Sequence, residues 1–197
     1  PLALKDVSYE INGMRLIKDL SVTFSANTLS VVLGPNGAGK SLLLRLCHGL
    51  IEPTQGQVRW NGEGHRAAKR YQAMVFQRPI MLRRSVFANL EHGLKHRGVL
   101  KRERNRRIEQ ILGYTGLSRL GRVPARRLSV GEQQRLAIAR AWSLDPEVLF
   151  LDEPTAALDP AATHSLEVII ASIRKANTKI IMTTHDLGQA RRLADEI

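Results

Sequence analysis

Cysteine is nearly absent. Cys47 is the only one among 197 residues, which excludes an internal disulfide and agrees with a reducing compartment. It stands in "LLLRLCHGL", an apolar helical pattern, and reads as a small core side chain rather than a nucleophile. Long hydrophobic runs are missing too. The longest, such as "LSVVLG" and "VLFL", fall far short of the roughly 20 residues that span a bilayer, so any membrane role has to come through a partner. The opening "PLALKDVSYE" lacks a basic head followed by a long apolar stretch, does not read as a signal peptide, and leaves a cytosolic chain as the expectation. No tandem repeat, low-complexity tract or long linker is visible.

Acids are scarce relative to bases, 18 against 30, for a net charge of +12. Residues 95–127 hold Lys95, Arg97, Lys101, Arg102, Arg104, Arg106, Arg107, Arg119, Arg122, Arg126 and Arg127 against Glu103 and Glu109. Such a block suits nucleic acid, anionic lipid head groups, an acidic protein surface, or simply a solvated helix face. Aromatics make up only 5% of the chain, and Tyr114 alone is interleaved with these charges, whereas single-strand binders stack bases on aromatics.

What is present fits one sizeable core, at 43% hydrophobic residues. Alternation and β-branched content predict strands near 2–9, 20–26, 29–33, 56–61 and 72–76, with "EPTQG" at 52–56 as a turn. From about 85 to 144 the apolar spacing turns helical: Val86, Leu90 and Leu94 form one stripe, Ile108, Ile111 and Leu112 a second, Leu136, Ile138 and Ala139 a third. "EVLFLDEP" and "TKIIMTTHD" then return as short apolar strands separated by a helix at about 160–175. That is the alternation of an α/β fold whose parallel sheet is covered on both faces. A last helix, about 187–195, is expected to pack Leu187, Ala190 and Ala194 on one side.

"VVLGPNGAGKSLLLRL" sets a strand, a glycine-rich loop and a helix in the order of a P-loop, matching GxxxxGKS. The candidate cradle is Gly34, Pro35, Asn36, Gly37, Ala38, Gly39, Lys40 and Ser41, followed by Leu42. Gly37 and Gly39 let N–H groups turn toward phosphates, Lys40 reaches the outer phosphates, and Ser41 offers a hydroxyl to Mg²⁺. "VLFLDEPTAALD" ends a buried strand in two acids. Asp152 there is a candidate metal holder, and Glu153 a candidate for orienting the attacking water. "IIMTTHD" delivers His185 the same way, alone among histidines 48, 65, 92, 96, 164 and 185. Gln77 in "MVFQRP" offers an amide to metal and water, or merely marks a turn set by Pro79.

"RRLSVGEQQR" raises a separate question. Ser129 and Glu132 have the Ser-x-x-Glu spacing of a capping box, which leaves Gly131 unexplained unless something outside the chain approaches it closely. "LSVGEQQR" resembles the signature tract LSGGQQQR, and with the elements above the chain is similar, over nearly all of 2–197, to the nucleotide-binding subunit of ABC transporters. By that resemblance Gln77 matches the Q-loop, Asp159 the D-loop and His185 the switch histidine. The resemblance also makes Ser129, Gly131 and Glu132 neighbours of the phosphates bound by a second copy. Val130 stands where glycine is usual and Glu132 where glutamine is usual. The aromatic that stacks adenine would fall on Ile11, leaving Tyr9 as the nearby aromatic candidate.

The resemblance implies a single domain over 1–197 with a P-loop NTPase (RecA-like) parallel-sheet core, an N-terminal antiparallel β portion and a helical signature subdomain. Residues 1–76 and 148–197 would form the nucleotide-binding core, and 77–147 the helical part. It implies an ATPase that uses ATP and Mg²⁺ in a head-to-tail homodimer with ATP sandwiched between the copies. The partners are an integral membrane permease and, indirectly, an extracytoplasmic solute-binding protein, with no nucleic acid expected. The location is peripheral, on the cytoplasmic face of the inner membrane. "MVFQRPIMLRRSVFANL" resembles bacterial import ATPases, particularly those serving tungstate and related oxyanions. The alternatives are a non-transport ABC ATPase acting on nucleic acid or ribosomes, and a P-loop kinase, which leaves the signature tract and His185 unexplained.

Overall fold

Two Asn-Gly dipeptides organise the amino-terminal third of the chain. In the computed structural model, which describes residues 1–64 and 71–197, Asn12 and Gly13 take positive φ of 49° and 76°. That pair of angles makes the tight turn whose twist matches paired strands. It joins β1 (Leu2–Ile11) to β2 (Met14–Phe24), with Ile11 opposite Met14. Asn61 and Gly62 repeat it at 49° and 83° between β4 (Gln55–Trp60) and β5 (Glu63–Gly64). The four strands form an antiparallel sheet in the order β2-β1-β4-β5. Strand β2 thus begins six residues before the expected position 20, and Gly56 lies inside β4 rather than in a turn. His65 lies outside the described residues.

The second sheet is parallel, in the order β3 (Leu29–Leu33), β8 (Lys179–Thr184), β7 (Val148–Asp152), β6 (Gln72–Val75). Every residue of β7 and β8 is buried. Side chains alternate between its faces. Val148, Phe150 and Ile181 join a core with Leu2, Leu4, Val7 and, from α1 (Lys40–His48), Leu44, Leu46 and Cys47. Leu149, Leu151, Ile180 and Met182 face the other way, into a core shared with the helices. Cys47 is buried in the first of these two cores, as expected, and burial pushes its thiol pKa up.

The helical stretch holds α2 (Val86–His96), α3 (Lys101–Tyr114) and α4 (Val130–Trp142). All nine residues of the three expected stripes are buried. Their cluster is continuous with the sheet, so the helices are packed onto the strands rather than around a core of their own. Helix α5 (Pro160–Lys175) begins at Pro160 because Asp159 caps it and proline suits the first turn. In α6 (Leu187–Leu193) only Ala190 of the three expected packing residues is fully buried, and Leu187 is 48% exposed. The chain leaves that helix before 195 to lie along β3, where Val31 N–H donates to the Glu196 carbonyl at 2.9 Å.

Candidate nucleotide site

All four strands of the parallel sheet end at one edge, and each leads to candidate residues. Strand β3 runs into the glycine-rich loop, β7 ends in Asp152, with Glu153 next, and β8 is followed by His185; Gln77 follows β6 two residues on. Gly37 and Gly39 have φ of 83° and 87°, and Gly39 caps α1 without any side chain. No acid sits in the first turn of α1, so its amino-terminal N–H groups and positive dipole end stand open to an anion.

Lys40, only 6% exposed, donates from Nζ to the carbonyls of Gly34 (2.8 Å) and Pro35 (2.9 Å) and pairs with Glu153 Oε1 at 2.9 Å. The other carboxylate oxygen of Glu153 accepts from His185 Nδ1 at 3.1 Å and, at the outer limit of a hydrogen bond, from Gln77 Nε2 at 3.5 Å. An ionised carboxylate only accepts, so the proton of this His185 contact resides on Nδ1. Burial raises the Glu153 pKa, but hydrogen bonds and charge from Lys40 and His185 outweigh it and leave the carboxyl below its ordinary range. Its backbone is left-handed, φ 41°, a conformation that costs a non-glycine residue about 1–3 kcal/mol.

That strained backbone is held by Thr183, a residue the sequence reading did not single out. The Thr183 hydroxyl accepts from Glu153 N–H at 2.9 Å and donates to Asp152 Oδ1 at 2.9 Å, so one side chain fixes both acids. Ser41 Oγ donates to the same Asp152 oxygen at 2.8 Å. A hydroxyl and a carboxylate, both hard oxygen donors, therefore converge next to the loop. Among the described residues no group of three or more His, Cys, Asp or Glu gathers to hold a metal by itself.

The cavity over the loop, of 680 Å³, is lined by residues 36–42 with Leu16, Arg45, Gln77 and Glu153. Tyr9 does not line it. Tyr9 is paired opposite Ile17 and packed against the core beneath the antiparallel sheet. Leu16, 46% exposed on β2, reaches the cavity instead. Sequence reasoning missed it because β2 was started too late; the Asn12-Gly13 turn was the signal.

The signature tract lies at a different concavity. Ser129, Gly131 and Glu132 share a 230 Å³ cavity with Arg135, Leu158, Asp159 and Ala162, and this cavity has no lining residue in common with the first. Ser129 and Glu132 do form the capping box. Glu132 Oε2 accepts from Ser129 N–H (2.8 Å) and Oγ (2.8 Å), and Glu132 N–H donates back to Ser129 Oγ at 3.3 Å. Those bonds hold the Glu132 carboxyl below its ordinary range. Glu132 is thus engaged within its own helix start, and as an anion it is a poor neighbour for phosphate. Gly131 has an internal reason as well: a Cβ there would approach Ala162 Cβ to 3.2 Å. Asp159 accepts from Ala162 N–H at 2.8 Å, capping α5.

The sequence profile described as ABC transporter matches residues 17–156. The chain is 36% identical over all 197 residues, and 92% of the relative's length, to the tungstate uptake system ATP-binding protein TupC of Peptoclostridium acidaminophilum. It superposes with a TM-score of 0.90 and 27% identity on cbiO1 from Clostridium perfringens, part of the ABC transporter complex cbiONQ, covering 98% of this chain and 82% of that one. A solved ATP-binding subunit of an ABC transporter gives a TM-score of 0.87 at 27% identity, covering 98% and 83%.

Proposed function

The chain belongs to the ABC transporter family as an ATP-binding, ATP-hydrolysing subunit, and we propose that it drives solute import, with tungstate or a related oxyanion as cargo. The observation that carries the site assignment is the convergence on Glu153 of Lys40, His185 and Gln77 at the open end of the parallel sheet. In this reading the glycine-rich loop and Lys40 bind the phosphates. Glu153 orients and deprotonates the attacking water, and His185 and Gln77 fix the carboxylate. Ser41, Asp152 and Gln77 would hold Mg²⁺, which would supply neutralising charge for the phosphate oxygens. Lys40 has to leave two loop carbonyls and Glu153 when phosphate arrives, so the pair couples nucleotide entry to release of the base.

A site complete for hydrolysis needs donors on the far side of the outer phosphate, and the first cavity has none from Ser129 or Gly131. This supports a head-to-tail homodimer in which residues 129–131 and Asp159 of one copy close over the loop of the other. Residues 77–147 are read as the helical arm carrying that edge, and 1–76 with 148–197 as the nucleotide-binding core. Among the described residues no helix is long and apolar enough to cross a membrane. A 490 Å³ groove between β6, α2 and α4 supports docking of a membrane permease. Ile80 is 79% exposed there, and among the described residues the buried amide of Gln72 finds no hydrogen-bond partner. An extracytoplasmic binding protein would act through that permease, placing this chain at the cytoplasmic membrane face.

Reconstitution with the native permease and a panel of loaded binding proteins tests the proposal. The tungstate-loaded protein is expected to stimulate ATP hydrolysis most. Stimulation by an unrelated cargo alone overturns the oxyanion assignment, and stimulation by none overturns the importer.

A further inference from the structure

We propose that the corner joining α2 to α3, residues 95–102, is a contact surface for anionic phospholipid. The proposal rests on the reading of this chain as a subunit working at a membrane. Between Glu91 and Glu103 the sequence has no carboxylate, while Lys95, Arg97, Lys101 and Arg102 bring four positive charges. All four are exposed, and none makes a side-chain ion pair or hydrogen bond among the described residues.

Their neighbours behave differently. Arg104 pairs with Glu91 at 3.6 Å and donates to the Val99 carbonyl at 2.6 Å, Arg106 pairs with Glu103 at 2.8 Å, and Arg107 pairs with Asp145 at 3.3 Å. The fold therefore neutralises the cations further along α3 and leaves the corner's own bare. In their midst stands Leu100, 79% exposed, just before the first turn of α3. Ile108, Ile111 and Leu112 anchor α3 in the core, so the corner is preformed rather than a loose tail.

An exposed leucine flanked along the chain by exposed cations matches one kind of surface. Lysine and arginine heads pair with lipid phosphates while their stems and the leucine enter the acyl boundary. Duplex nucleic acid would use the charges but leave the leucine idle. Single strands would want an aromatic, and Tyr114, packed against Trp142 at 5.5 Å, lies about 20 Å away at the other end of α3.

The test is co-sedimentation of the full chain, without permease, with vesicles of phosphatidylcholine alone or of equal parts phosphatidylcholine and phosphatidylglycerol. The chain is expected to sediment with the second and not the first. Lys101→Glu/Arg102→Glu is expected to lower that binding by more than about thirtyfold, and the neutral pair Lys95→Gln/Arg97→Gln by about thirtyfold. Leu100→Ser should lower it about threefold while keeping its salt dependence. Thermal unfolding and ATP hydrolysis should stay unchanged in all of them, because none of these residues lines either nucleotide-site cavity. Equal binding to both vesicle types, undiminished binding by both charge variants, or displacement of the chain from vesicles by a DNA duplex at lower concentration overturns the proposal. Because no permease is present, the outcome is independent of the stimulation assay above.

Discussion

The loop cavity and the signature cavity both offer a helix start to an anion, yet they are built on opposite principles. At the first, Lys40, Asp152, Glu153 and Thr183 come from three separate strand ends and hold one another through shared oxygens. At the second, Ser129 and Glu132 are three residues apart and satisfy each other. A network drawn from distant parts of the chain is held together within one copy. A local capping box keeps a helix start rigid and leaves its outward face free, the face that the proposed head-to-tail dimer would turn to a second copy's nucleotide. Val130, 60% exposed at the first helical position, belongs to that outward face.

The sharpest way to break this contrast is Glu153→Gln. It should lower single-turnover hydrolysis by about 10²–10⁴-fold, the usual worth of a positioned base, while ATP binding by fluorescence titration is retained. Near-normal turnover would remove Glu153 from the chemistry. Ser129→Arg comes next: it should leave ATP binding to an isolated copy intact, yet reduce steady-state hydrolysis at least about tenfold and bring its ATP dependence to a Hill coefficient near 1. If hydrolysis per copy is instead unchanged and independent of protein concentration, the signature cavity serves no partner.

A smaller effect sharpens the contrast in bracing. Strand β3, which carries the loop, is tied along its edge by Glu196, whose carboxylate accepts from Lys179 Nζ at 2.9 Å and from Ser25, Thr28 and Ser30. Burial opposes ionisation of Glu196, but these bonds hold its pKa at about 2, against an ordinary 4.5. A carboxyl depressed on folding contributes stability above its unfolded pKa and loses it as pH falls. Wild-type stability should therefore drop between pH 4.5 and about 2. Glu196→Gln, costing about 1–3 kcal/mol at neutral pH in urea unfolding, should flatten that limb. An unchanged acid limb would show the brace to be inert. The smallest expected effect separates Leu16 from Tyr9. Leu16→Ala should weaken ATP binding by about threefold to tenfold, from lost apolar contact, and Tyr9→Phe should not change it. The reverse order would restore Tyr9 as the base contact.

Legibility followed the range of the interactions. The helix expected at about 160–175 spans Pro160–Lys175, and Asp159 and Pro160 mark its start locally. The strands β7 and β8 were visible because both faces are buried and the run is wholly apolar. The end of α6 was not, because Asp195 and Glu196 are drawn off by β3, whose partner-seeking edge lies more than 160 residues earlier. Thr183 escaped notice for the same reason: a threonine in a strand is ordinary until its hydroxyl is found between two acids.

By itself the sequence determined the cradle, the acid pair, the capping box and the alternation of strand and helix, all of which are set by neighbours a few residues apart. Tertiary structure alone decided that Glu153 is shared by Lys40, His185 and Gln77, that Leu16 rather than Tyr9 reaches the cavity, and that the signature tract lines a cavity separate from that of the loop. Those facts depend on which strands lie side by side and how they are registered, and strand order is fixed by burial across the whole chain rather than by any local run of residues.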